Sequence, residues 1–190
     1  MSTIDRRTLL FVFGTATITP MLRAGTAAAR MAVVAKPGEN RFPYTSAKQA
    51  ERSPCKLTSD DSKGELSIFE LNVPSRSGPV RHVHHREDEW CYILAGDFVF
   101  EVGRERYTLS AGGSLWMPRD IPHVWANQAA TNGKLIVACQ PGGFEKFFNE
   151  LGNIPDPQVN AVRVKQAMAK YGMEYLGPPL FGLWRQEHQE

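Results

Sequence analysis

Between Glu65 and Gln140 the chain is a succession of short runs rich in β-branched and aromatic residues: ELSIFELNV, VRHVH, EWCYIL, DFVFEV, RYTL, SLWM, HVWAN and KLIVACQ. PSRSGP, AG, GRE, SAGG, PRDIP and TNG stand between them and supply the glycine, proline and asparagine that turns require. Many short strands joined by tight turns make an antiparallel sandwich or barrel. No long amphipathic helix separates the runs, so an α/β fold with a parallel sheet is excluded. The expected class is all-β, a small antiparallel barrel spanning residues 64–142.

The period changes after Pro141. Phe144, Phe147, Phe148 and Leu151 recur at i, i+3, i+4 and i+7 before Gly152, which predicts a short helix with its apolar face on the barrel. A second helix is expected with Asp156 as N-cap, Pro157 at its first position, and Ala161, Val164, Met168 and Tyr171 along one face before Gly172. Residues 143–190 therefore read as a helical extension. Its final GPPLFGLW is apolar and suits a barrel edge, a barrel mouth or a neighbouring subunit, so a homodimer is compatible with it. Residues 30–63 mix proline, serine, lysine and aspartate without sustained periodicity and predict an arm holding at most a short strand.

The opening segment has the order of an export signal: Arg6 and Arg7, an apolar stretch from Leu9 to Ile18, then small residues ending in Ala27, Ala28 and Ala29. The arginine pair resembles a twin-arginine signal, so residues 1–29 are expected to be removed and the mature protein to be periplasmic or extracellular. The apolar stretch is too short to cross about 30 Å of hydrocarbon as a helix, which argues against a permanent membrane anchor. The 190 residues carry a net charge of only +2, with no basic stripe to follow a phosphate backbone, so nucleic acid is excluded as a partner. Cys55, Cys91 and Cys139 form neither an even set nor a CxxC spacing and read as free thiols.

Chemistry is concentrated in RHVHHREDEW, where three of the five histidines fall. Residues two apart on a strand share a face, so His82 and His84 project together while His85 points the other way. If the shared face is the interior, two imidazoles converge as a first-row transition metal requires. Glu89, across the bend at HRED, supplies a carboxylate that can join them, and His123 enters from the separate segment PRDIPHVWAN. Trp125 and Asn127 share parity with His123, which makes Trp125 a candidate wall of a substrate pocket or an ordinary core aromatic. His85, His188, Glu87 and Asp88 read as solvated residues.

HVHHREDEWCYILAG and GGSLWMPRDIPHVWAN together resemble the two motifs of the cupin superfamily. The first runs through His82, His84, Glu89 and Gly96; the second runs through Gly112, Pro118, His123 and Asn127. Gly78 stands closer to His82 than the usual motif glycine, and Asp120 replaces a glycine. PGGFEKFFNELG and YGMEYLGPPL also resemble the extension of single-domain cupins described as quercetin dioxygenase-like. This resemblance implies a β-barrel of the double-stranded β-helix type with His82, His84, Glu89 and His123 as ligands to one divalent metal. Fe(II) or Mn(II) is favoured, and Ni(II), Co(II) and Cu(II) are compatible. It also implies a dioxygenase in which Glu89 doubles as the base for a substrate hydroxyl, with a small molecule and dioxygen as partners. The same ligands suit a metal-dependent isomerase or lyase on a small hydroxy or keto acid, or a non-catalytic binder.

Overall fold

A computed structural model describes residues 31–155 and 160–181. The eight runs are all strands: β2 (Ser67–Val73), β3 (Arg81–His84), β4 (Asp88–Ala95), β5 (Asp97–Val102), β6 (Glu105–Ser110), β7 (Ser114–Met117), β8 (His123–Asn127) and β9 (Gly133–Gln140). Two more strands complete the barrel, β1 (Cys55–Leu57) and β10 (Met173–Gly177). The strands form two antiparallel five-stranded sheets, ordered β1-β2-β9-β4-β7 and β10-β3-β8-β5-β6. This is the expected all-β barrel.

Alternation orients the first sheet. Phe69, Leu71 and Val73 of β2, Cys91 and Ile93 of β4, and Leu135, Val137 and Cys139 of β9 point inward and are buried. The second sheet closes over them with Phe98 and Phe100 of β5 packed against Trp125 of β8. The outward positions of β4 and β7 expose Trp90, Tyr92, Leu94 and Trp116, with Trp90 directly opposite Trp116.

The sequence boundaries need correction at both ends of the barrel. The arm at 30–63 contains α1 (Ala47–Arg52), β1 and α2 (Ser59–Ser62), and β1 pairs with β2 inside the first sheet. Thr58 builds a capping box with Asp61 around the four residues of α2, a local signal too short to show as periodicity. The carboxyl-terminal extension is not purely helical either. It holds α3 (Glu145–Gly152) and α4 (Ala161–Lys170), then returns as β10 to pair with β3. Phe144 and Phe147 are buried by α3 as its spacing predicts, whereas α4 starts at Ala161 after Asn160. Asp156 and Pro157, expected to open that helix, lie outside the described residues, as do the export signal with Arg6 and Arg7, and His188. Among the described residues no helix is long and apolar enough to cross a membrane.

The two departures from the motif pattern have physical reasons. A Cβ at Gly78 would stand 2.0 Å from the carbonyl oxygen of Trp125, so only glycine lets the two backbones meet there. Asp120 has φ of 63°, the left-handed turn conformation that aspartate tolerates in place of glycine.

Candidate metal centre

The site lies between the two sheets. β3 and β8 are antiparallel neighbours with His82 opposite His123, and His84 follows on the same face of β3. Glu89 comes from β4 in the facing sheet, where its partners are Met117 and Cys139. All four side chains are buried, between 1% and 6% exposed. One donor atom from each lies within 4.8 Å of every other.

Each imidazole is held by its Nδ1, leaving Nε2 for the centre. His82 Nδ1–H donates to Val80 O at 2.7 Å, and His123 Nδ1–H donates to Ile121 O at 3.0 Å. Both partners are backbone carbonyls two residues earlier, so each ring's tautomer is fixed by its own strand entry. His84 Nδ1–H is directed at Glu87 Oε2, 3.4 Å away. The Nε2 atoms of His82 and His84 are 3.1 Å apart, His84 Nε2 lies 3.3 Å from Glu89 Oε2, and His123 Nε2 lies 3.9 Å from the same oxygen.

This arrangement fits a metal ion. Metal–ligand bonds near 2.1 Å set adjacent donors of an octahedral shell about 3.0 Å apart and opposite ones about 4.2 Å apart, a range that holds the 3.1, 3.3 and 3.9 Å separations. His123 Nε2 is moreover a buried nitrogen with no hydrogen-bond partner among the described residues. A bare imidazole lone pair enclosed this way is costly unless it meets a cation or a donor. Three nitrogens and one carboxylate oxygen suit a divalent first-row ion and leave positions for substrate.

Electrostatics divides the four. Burial, reinforced by His123 and His84, lowers the His82 pKa to about 3, and burial likewise lowers that of His123. Burial also opposes charge on His84, but Glu87 and Glu89 outweigh it and raise its pKa to about 9. For Glu89 burial favours the neutral acid, yet the hydrogen bond to His84 and the neighbouring imidazoles hold the pKa down at about 2. The carboxylate is therefore ionised at neutral pH.

His85 points away from the site, as strand parity requires, and its Nδ1 meets Asp120 Oδ1 at 2.7 Å. Asn127, of one parity with His123, serves the fold: its Nδ2 donates to Thr131 O and to the carbonyls of Val73 and Pro74. Glu87 is a correction. Read as a solvated acidic residue, it is 8% exposed and belongs to the site through His84. The signal was parity, because Glu87 and Glu89 are two apart in extended chain and share a face. Asp88, read with it as solvated, pairs with Arg119 at 2.7 Å. Cys55, Cys91 and Cys139 are free and buried, and burial raises all three thiol pKa values, so none is poised as a nucleophile.

A cavity of about 850 Å³ meets the site through His82 and Glu89. Trp125, Phe144, Phe147, Phe148, Tyr175 and Phe181 give it aromatic walls, so segments before and after the barrel enclose the space above the cluster. Trp125 is both core aromatic and cavity wall, and its buried Nε1–H finds no acceptor among the described residues.

Fold and site together define a small β-barrel domain with a histidine-rich centre between its sheets. Residues 68–139, the segment that holds the four clustered side chains, match the Cupin domain family. An uncharacterized protein of Methanocaldococcus jannaschii is 27% identical over 75 residues, 40% of this chain and 60% of that relative. The match thus spans less than two thirds of the relative's length. Among solved structures, KdgF from Halomonas sp. shares 19% identity over 50% of this chain and 81% of its own, with a TM-score of 0.44. A predicted oxalate decarboxylase from Thermotoga maritima shares 20% identity over 47% of this chain and 78% of its own, with a TM-score of 0.45.

Proposed function

We propose that the protein is a metal-dependent dioxygenase that opens the ring of a flavonol or related hydroxylated aromatic compound. The observation that carries this reading is the meeting of the three-histidine, one-glutamate cluster with an aromatic-walled cavity of about 850 Å³. That volume suits a ligand of drug-like size and is far more than a small hydroxy or keto acid fills, so the isomerase reading is the weaker one.

His82, His84, Glu89 and His123 would hold the ion, for which Fe(II) and Mn(II) are our choice. Once bound, it supplies positive charge for a deprotonated substrate hydroxyl and the redox capacity to couple that substrate to dioxygen. Glu89 faces the cavity as an ionised carboxylate and can accept the hydroxyl proton. Phe144 and Phe147 supply flat apolar surface for the rings and keep water from the reacting face. The proposal includes export, on the strength of the amino-terminal sequence.

Oxygen uptake and carbon monoxide release are measured with a flavonol and metal-loaded protein, under air and under nitrogen. Stoichiometric uptake with loss of the flavonol absorbance supports the reading. Conversion that proceeds equally under nitrogen rejects it.

A further inference from the structure

The cavity has a charged rim that neither the barrel nor the metal cluster requires. Lys48 and Arg52 of α1 and Arg76 of the β2–β3 turn line it, and all three are exposed, whereas His82 and Glu89 at its floor are buried. Glu89 is the one carboxylate among the described lining residues, so the outer end carries cations alone. Lys48 and Arg52 are four apart and share a helix face. None of the three cations has an ion-pair partner among the described residues. Arg76 has φ of 52° and sits over the Phe181 ring at 4.9 Å, an arginine fixed in the left-handed region beside an aromatic wall.

We propose that the cavity selects an aromatic ligand bearing an anionic group, a carboxylate or its equivalent, with its hydroxylated ring at the His82–Glu89 floor and its anion at Lys48, Arg52 and Arg76. The proposal rests on the functional reading above for which end of the ligand reacts; the binding preference stands without it. The ring system fills the apolar middle. The rim cations are solvated, so each contributes modestly, and together they also attract the anion before it enters.

The test titrates full-length, Mn(II)-loaded protein under nitrogen with 3-hydroxyflavone and with its 4′-carboxylate, by isothermal calorimetry at low and high salt. The carboxylate should bind about tenfold more tightly at low salt and lose most of that advantage near 0.5 M salt. The combined variant Lys48→Gln, Arg52→Gln should remove most of the advantage while 3-hydroxyflavone binding changes far less. A thermal melt of that variant matching the parent shows that the rim, not the fold, was altered. Equal affinity for the two probes, an advantage that survives in the variant, or no binding of either probe overturns the proposal. Tight, rim-dependent binding of the carboxylate without oxygen uptake in air upholds it and rejects the dioxygenase reading.

Discussion

His82 and His123 face one another across β3 and β8, with ring centroids 4.5 Å apart, and both turn Nδ1 to a backbone carbonyl two residues upstream. The two strand entries are equivalent, one beginning at Val80 and the other at Ile121, so the pairing of the sheet itself aims two Nε2 lone pairs at one point. A third comes from His84 by the two-residue repeat of β3. Strand parity thus has a direct consequence: His84→Ala should lose bound metal and at least about a hundredfold in activity, while His85→Ala retains both within about twofold. Metal content of the two purified variants by plasma mass spectrometry checks this, and equal losses would mean that the face has been misassigned.

Parity made this much legible because the barrel strands alternate cleanly, and the same rule extended one step further reaches Glu87. What hid Glu87 was composition: acidic residues at a bend read as solvated. The short strand allowed for in the arm, β1, could not be located, and β10 was hidden altogether, each for a different reason. Cys55–Leu57 is too short to alternate, and Met173–Gly177 becomes a strand by pairing with β3, Met173 lying opposite His84, a contact made at long sequence separation. Both lie beyond the expected bounds of the barrel, and the residues of α1, α3 and α4 that wall the cavity lie beyond them as well. The convergence of His82 and His84 was readable from strand spacing, Glu89 and His123 joined them through the resemblance to the cupin motifs, and the enclosure around the four was not readable.

Glu87 should matter to metal binding although it does not belong to the donor set. It is the group that Nδ1 of His84 meets, so it fixes that ring and makes Nε2 a better donor. Glu87→Ala is expected to weaken metal affinity about tenfold to a hundredfold, and Glu87→Gln, which keeps an acceptor, to weaken it less. Competition against a chromogenic chelator measures both. An unaffected Glu87→Ala would reduce the contact to a bystander.

The proposed function gives Glu89 two roles, ligand and base, that one substitution separates. Glu89→Gln retains an oxygen to offer a metal but has no site for the hydroxyl proton, so partial metal content should persist while turnover falls by about a hundredfold or more. Steady-state oxygen uptake normalised to bound metal reads the difference. Unchanged turnover per metal would remove the base role and leave Glu89 a ligand.

Glu145 anchors the wall above the site and should report as acid sensitivity. It opens α3, is 1% exposed, and accepts from Ser59 N at 3.0 Å, Ser59 Oγ at 2.5 Å and Ser67 Oγ at 2.6 Å, tying the helix that carries Phe147 to α2 and β2. Burial favours its neutral form, but these donors outweigh it and hold its pKa below the usual 4.5. A depressed carboxylate stabilises the fold above its unfolded pKa, and this contribution disappears as pH falls through the lower folded value. Glu145→Gln replaces one acceptor oxygen with an NH₂ group that faces donors, and should cost about 1–3 kcal/mol at pH 7. Urea melts of parent and variant at pH 7 and again well below pH 4.5 provide the check. The gap should narrow at the acid end, because the parent's own carboxyl is then protonated and has likewise exchanged an acceptor for a donor. A gap of the same size at both pH values would show that packing, not the ionised carboxylate, holds α3 in place.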